Sequence, residues 1–115
     1  MLERVAHYAN NVIMVFSLDG RLVEASDRFF DLYGYPRDAV SGLALTDLRS
    51  PVGVESLGSD LHQVKEQGCF TFETEHRRCD GTVFPVEVSS RIVELDGQSY
   101  VVSVVRDISP LKAAM

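Results

Sequence analysis

Three histidines and two cysteines have the widest chemical reach in this 115-residue chain. His7, His62 and His76 could shuttle protons or ligate a metal, and Cys69 and Cys79 could ligate, attack or cross-link. Their spacing argues against most of this. Cys69 opens a strand and Cys79 closes it, so ten extended residues hold them roughly 30 Å apart, beyond disulfide reach. Neither stands at zinc-ligand spacing from a histidine, so no metal site is expected. Free thiols suit a reducing compartment. The histidines fall on different segments, without an adjacent serine or cysteine nucleophile or a carboxylate pair marked by spacing. No glycine loop for phosphate is present. The expectation is a chain that is not an enzyme.

His76 remains of interest. Phe70, Phe72, Thr74 and His76 share one face of their strand, while Thr71, Glu73, Glu75 and Arg77 share the other. Parity therefore turns His76 inward. A buried, unpaired imidazole is costly, so it needs Thr74, Ser103, a water or a ligand carboxylate as partner. Two readings stay open. It is a core histidine satisfied by a solvent-accessible partner, or a hydrogen-bond donor to a small acid or an aromatic metabolite. On the first reading, His76→Phe should be near neutral or stabilising.

The elements that must position these residues follow from pattern. Met1 to Asn10 read as a helix with Leu2, Val5, Ala6 and Ala9 as its stripe. Val12 to Leu18 and Arg21 to Ala25 read as strands joined at Asp19-Gly20. Ser26 or Asp27 N-caps a helix carrying Phe29, Phe30, Leu32 and Tyr33, which Gly34 stops. Tyr35 to Gly53 are turns and short helical pieces. Glu55 to Gln67 is a helix with Leu57, Leu61 and Val64 on one face, ended by Gly68. A long hairpin follows, turned at Asp80-Gly81 with the positive φ angles of a type I′ turn. In its second strand Phe84, Val86 and Val88 oppose Pro85, Glu87 and Ser89. Asp96-Gly97 leads into a last strand, Gln98 to Asp107. Ser109-Pro110 then reads as N-cap and first position of a helix that continues in a longer protein.

The length suits one domain that buries roughly two-thirds of its unfolded surface. With 45% hydrophobic and 24% charged residues it is an ordinary globular chain. A net charge of -6 argues against a nucleic-acid surface. No apolar run reaches the ~20 residues of a membrane span, and no signal peptide is visible. The expected location is cytoplasmic, or the cytosolic part of a membrane-anchored receptor.

Four fragments carry a resemblance that covers essentially the whole chain. They are the first hairpin with Asp19-Gly20; FFDLYGYP (Phe29 to Pro36) followed by Gly42; RCDGTVFPVEVS; and RDIS (Arg106 to Ser109). In this order and spacing the chain resembles a PAS domain. The resemblance implies an α+β fold: a five-stranded antiparallel sheet in the order 2-1-5-4-3, with helices packed on one face. It implies a single domain over 1–115, with 1–10 as a cap helix, 11–107 as the core and 108–115 as the start of a signalling helix. It further implies a sensory or interaction role in a longer chain whose effector is, for example, a histidine kinase or a diguanylate cyclase. The chain departs from the family at Ser26, where many members have Asn. Pro85, though frequent in the family, lies in a strand that should be internal, so a bulge or an unpartnered N–H is expected there.

Alternation places Met14 and Phe16, Phe72, Thr74 and His76, Val86 and Val88, and Val101, Ser103 and Val105 on one sheet face. Between that face and Phe29, Leu45, Leu57 and Leu61 the resemblance implies a ligand pocket. The alternative is that these side chains simply fill the core. A LOV-type flavin does not fit: Leu45 stands at the reactive-cysteine position. Of the three flavin-reading positions, His76, Val86 and Val105, two have lost a hydrogen-bonding group. Haem does not fit either, because His62 is rotated ~100° from inward Leu61. The cofactor is unknown, a small organic metabolite or none. The outer face carries charges on the long hairpin but Ile13, Val15, Val102 and Val104 on the first and last strands. That apolar patch calls for a cover, either Leu2, Val5 and Ala9 of the N-terminal helix or a second copy in a homodimer. Signal would leave through the last strand at Asp107 and Ser109. The rival role is a ligand-free dimerisation or protein-interaction module.

Overall fold

The computed structural model describes residues 11–114. The expected N-terminal helix, with Leu2, Val5 and Ala9, lies outside the described residues. Period-two alternation yields five strands: β1 (Val12–Ser17), β2 (Leu22–Ala25), β3 (Cys69–Arg77), β4 (Val83–Leu95) and β5 (Gln98–Asp107). Between β2 and β3 come α1 (Asp27–Tyr33), a 3-10 turn (Arg37–Gly42), α2 (Leu45–Leu48), α3 (Pro51–Glu55) and α4 (Leu57–Gln67). A short α5 (Ser109–Ala113) follows β5. The strands pair antiparallel in the order β2-β1-β5-β4-β3.

The inner sheet face and the helices share one core. Met14, Phe16, Val86, Val88, Val101 and Val105 are buried against Phe29, Tyr33, Leu45, Leu48 and Val64. Removing this apolar surface from water is the main force holding the helices on the sheet. Tight stops fix their lengths. Gly34 and Gly68 end α1 and α4 in the left-handed region, each donating its N–H back to the preceding turn.

Several local expectations need correction. The β3–β4 connection is not a type I′ turn. Asp80 keeps a negative φ and only Gly81 is positive, at 90°. Arg78 accepts from the Gly81 N–H and donates its own N–H to Thr82, giving a turn closed by a left-handed glycine. The type I′ geometry occurs instead at Asp96-Gly97, with φ 52° and 78°. Cys79 lies in the loop beyond β3. Glu55 ends α3 rather than opening α4. Ser26 holds the N-cap position of α1, but its hydroxyl accepts from the Ile13 N–H at 3.0 Å instead of capping. At α5 Ile108 holds the N-cap position and Ser109 is the first helical residue, its N–H bonded to the Asp107 carboxylate just ahead of the cap.

Pro85 sits without a bulge. Its carbonyl accepts from the Ile108 N–H, so its nitrogen faces the β5 side. The β4–β5 ladder starts only at Val86, so the missing donor costs no strand pairing.

Candidate functional site

A cavity of about 20 Å³ lies between the sheet and the helices, room for one water or a ligand group of about that size. Its apolar wall combines Met14 and Phe16 of β1, Val101 and Val105 of β5, Val88 of β4 and Phe72 of β3. Leu45 of α2 and Leu61 and Val64 of α4 close it. Five polar residues also line it: His76, Ser90, Ser103, Arg49 and Asp60.

His76 is 2% exposed. Its Nδ1 lies 2.6 Å from the hydroxyl of Tyr33, a buried residue of α1. The expected partners Thr74 and Ser103 do not bond it. Burial, and then the positive charge of Arg49, depress the His76 pKa to about 3, so the ring is neutral. Burial raises the Tyr33 phenol well above its ordinary value, and the Asp107 carboxylate adds to this. Tyr33 makes no other side-chain bond among the described residues, so its hydroxyl donates to Nδ1. The ring proton then sits on Nε2, which has no partner among the described residues.

Arg49 is the residue that sequence patterning missed. It is 3% exposed. It lies in an irregular segment and pairs with His76 through an isolated bridge to β3. Its Nη1 donates to the Gly53 carbonyl at 3.0 Å and to Asp60 Oδ2 at 2.8 Å. Asp60 belongs to α4, so this buried ion pair ties the α2–α3 loop to the long helix. The guanidinium carbon stands 5.4 Å from the centre of the Phe72 ring. Its Nε–H is buried without an acceptor among the described residues. Across the cavity, Ser90 and Ser103 bond each other at 2.7 Å.

The other expected pocket residues lie elsewhere. Phe29 is in the core, stacked 4.8 Å from Tyr33 and 6.0 Å from Tyr35. Val86 is fully buried beside the cavity, and Leu57 packs at the core edge. Thr74 faces α3, where its Oγ1 comes within 3.1 Å of where a Gly53 Cβ would be. His62 is exposed, 3.9 Å from Glu66. Ser90 has the parity of Val86 and Val88 and was within reach of the alternation argument. Asp60 and Arg49 carried no such signal, because charged residues are seldom buried.

At the far end of β5, Asp107 Oδ1 accepts from the Ser109 N–H at 2.8 Å and its hydroxyl at 2.6 Å. Arg78 stands 4.0 Å from the other carboxylate oxygen. It also lies 4.1 Å over the Phe84 ring and donates to the Leu32 carbonyl of α1. Lys112 of α5 reaches back to Glu73 of β3 at 3.0 Å. On the outer face, Ile13 lies opposite Val104 and Val15 opposite Val102. Among the described residues no helix is long and apolar enough to cross a membrane.

A family model described as the PAS domain matches residues 10–110. The chain is similar to the methyl sulfide methyltransferase-associated sensor of Methanosarcina acetivorans, 30% identical over 84 residues. That alignment covers 73% of this chain and only 8% of the relative's length. Among solved structures, the PAS domain of a Colwellia psychrerythraea protein superposes with a TM-score of 0.78 at 23% identity, covering 95% of this chain and 98% of that one. The PAS domain of an HTR-like protein from Haloarcula marismortui gives 0.76 at 26% identity, covering 93% and 88%.

Proposed function

On the premise that this chain belongs to the PAS domain family, we propose that it is a sensor module whose inner cavity takes a small ligand and whose last strand reports occupancy to the C-terminal helix. PAS domains are sensory modules of signalling proteins, and a curated relative is a sensor. One observation carries the finer reading. Val101, Ser103 and Val105 line the cavity at every second position of β5. The same strand ends at Asp107, whose carboxylate holds the first residue of α5. A shift of β5 along or across the sheet would therefore move the start of that helix. The output would pass to an effector domain in a longer chain, a histidine kinase or diguanylate cyclase, in the cytoplasm and as a homodimer. No catalytic role is assigned to the domain itself.

The test uses Ser103→Ala, which deletes one cavity hydroxyl and its bond to Ser90. The amide resonances of Ser109 to Lys112 should shift along with those around the cavity. If they stay fixed while Asp107→Ala moves them, β5 does not couple cavity to exit. The small cavity and the apolar outer face favour a second reading in that case: a ligand-free dimerisation module.

A further inference from the structure

The sensor reading above needs a way into the core, and the cavity, at about 20 Å³, holds one water. A larger occupant therefore requires a wall that moves. The walls are not equally fixed. The sheet side is tied by the β1–β5 and β4–β5 ladders. On the helical side, Leu45 of α2 is buried and its N–H donates to the Gly20 carbonyl at 2.9 Å. Helix α4 is held more lightly. Val64 is its one buried residue, and Leu57 and Leu61 are partly buried. At its C-terminal end Gly68 takes the left-handed conformation, φ 77°, and its carbonyl accepts from the Ile92 N–H of β4. Toward its N-terminal end, Asp60 makes the one side-chain hydrogen bond that joins α4 to the rest of the molecule among the described residues, to Arg49 at 2.8 Å.

That bond holds against an opposing cost. Arg49 and Asp60 have side-chain exposures of 3% and 15%, so both charges have lost most of their water. The Arg49 Nε–H has no acceptor among the described residues. Lifting α4 would return water to the carboxylate, the guanidinium and this stranded donor. The closed position thus depends on the charge of Asp60. Without it Arg49 is a buried cation with the Gly53 carbonyl as its hydrogen-bond partner, and the exposed state is favoured.

We infer, as a deepening of the sensor reading, that α4 is a lid hinged at Gly68 and latched by the Arg49–Asp60 ion pair, and that releasing the latch opens the cavity wall formed by Leu61 and Val64.

Amide exchange followed by NMR tests this. In the native chain the amides of Leu61 to Gln67 should exchange at least about ten-fold faster than those of Val101 to Val105, because the lid opens without the sheet. Asp60→Asn should speed exchange in α4 by about ten-fold or more again and leave β5 within about two-fold. Equal rates in α4 and β5 of the native chain would overturn the lid. So would an Asp60→Asn protein in which α4 is unchanged, or in which α4 and β5 speed up together, the mark of a pair that only stabilises the fold. Where Asp60→Asn does not fold, Asp60→Glu, which keeps the charge but displaces the carboxylate, must show the same selective gain. A cavity thiol separates a lid from a fraying helix. Ser103→Cys, in a chain with Cys69→Ser and Cys79→Ser to remove the exposed thiols, should react with methyl methanethiosulfonate at least about ten-fold faster once the Asp60 substitution is added. No gain would overturn the lid.

The sensor reading fails separately. An Asp60→Asn protein whose lid opens while Ser109 to Lys112 stay unmoved keeps the lid and removes the coupling. Helix α4 and β5 exchanging as one, in a chain whose Ser103→Ala variant still moves Ser109, keeps the coupling and removes the lid.

Discussion

His76 and Tyr33 form one buried unit, and each makes the other tolerable. The imidazole nitrogen accepts from a phenol that has no water to turn to. This overturns the expectation that His76→Phe is near neutral, which rested on a solvent-accessible partner. The phenyl ring would fill the space but strand the Tyr33 hydroxyl, so the substitution should cost about 1–3 kcal/mol. Tyr33→Phe added to it should recover part of that loss, a coupling that urea denaturation of the four proteins would measure. The pH dependence has a definite sign. His76 has a folded pKa of about 3, below its ordinary 6.5, so the unfolded chain binds the extra proton. The stabilisation is complete above about pH 6.5 and is lost progressively as pH falls toward 3. Between pH 6 and 4 the native chain should lose stability more steeply than His76→Phe, by up to about 1.4 kcal/mol per pH unit. Equal slopes would mean that His76 already titrates in the folded state.

The elements differ in how tightly they are held. Helix α3 lies so close to β3 that a Cβ on Gly53 would sit 2.5 Å from the Glu75 carbonyl oxygen. Gly58 in α4 has nothing within 4 Å of the same atom. Gly53→Ala should therefore destabilise by about 1–3 kcal/mol by prying α3 from the sheet. Gly58→Ala should stabilise by about 0.5 kcal/mol. Thermal melts of the pair would check both, and a loss at Gly58 would place α4 closer to its neighbours than described. Gly81→Val should cost at least about 1 kcal/mol in the same assay, because its φ of 90° is hostile to a β-branched residue.

These contrasts mark what sequence could and could not reveal. Alternation fixed the facing of Met14, Phe72, His76, Val88, Val101 and Ser103, because a strand has one period and one buried side. The strand order came from the PAS resemblance. The irregular stretch from Tyr35 to Ser56 has no period, so neither the burial of Arg49 nor its pairing with Asp60, eleven residues on, was legible. The Asp-Gly pairs located turns but not their types. Asp80 spends its carboxylate on Thr82, with bonds of 3.0 and 2.7 Å, in a longer turn that a two-residue reading overlooks.

At the scale of the whole molecule the outer sheet face divides in two. On β3 and β4 it is charged, and two of its carboxylates are paired: Lys112 meets Glu73 at 3.0 Å and Arg106 at the end of β5 meets Glu87 at 3.4 Å. Such exposed pairs add little stability, but they keep that half in water. On β1 and β5 the face is aliphatic. Ile13 is 37% exposed and Val15, Val102 and Val104 are partly so. Strand β5 thus has the cavity on one side and the apolar patch on the other. A cover on the patch would sense any movement of the strand that reports the cavity. The proposed cover is the segment 1–10, whose Leu2, Val5 and Ala9 recur at helical spacing, acting within one chain or between two. Deleting Met1 to Ala9 should abolish the dimer or cause aggregation, read by light scattering on a sizing column. Val102→Glu should weaken the same association without touching the cavity wall, since its side chain points away from Val101 and Ser103. A truncated protein of unchanged mass and solubility, with Val102→Glu equally inert, would leave the aliphatic half of the sheet without a partner and dimerisation without a surface.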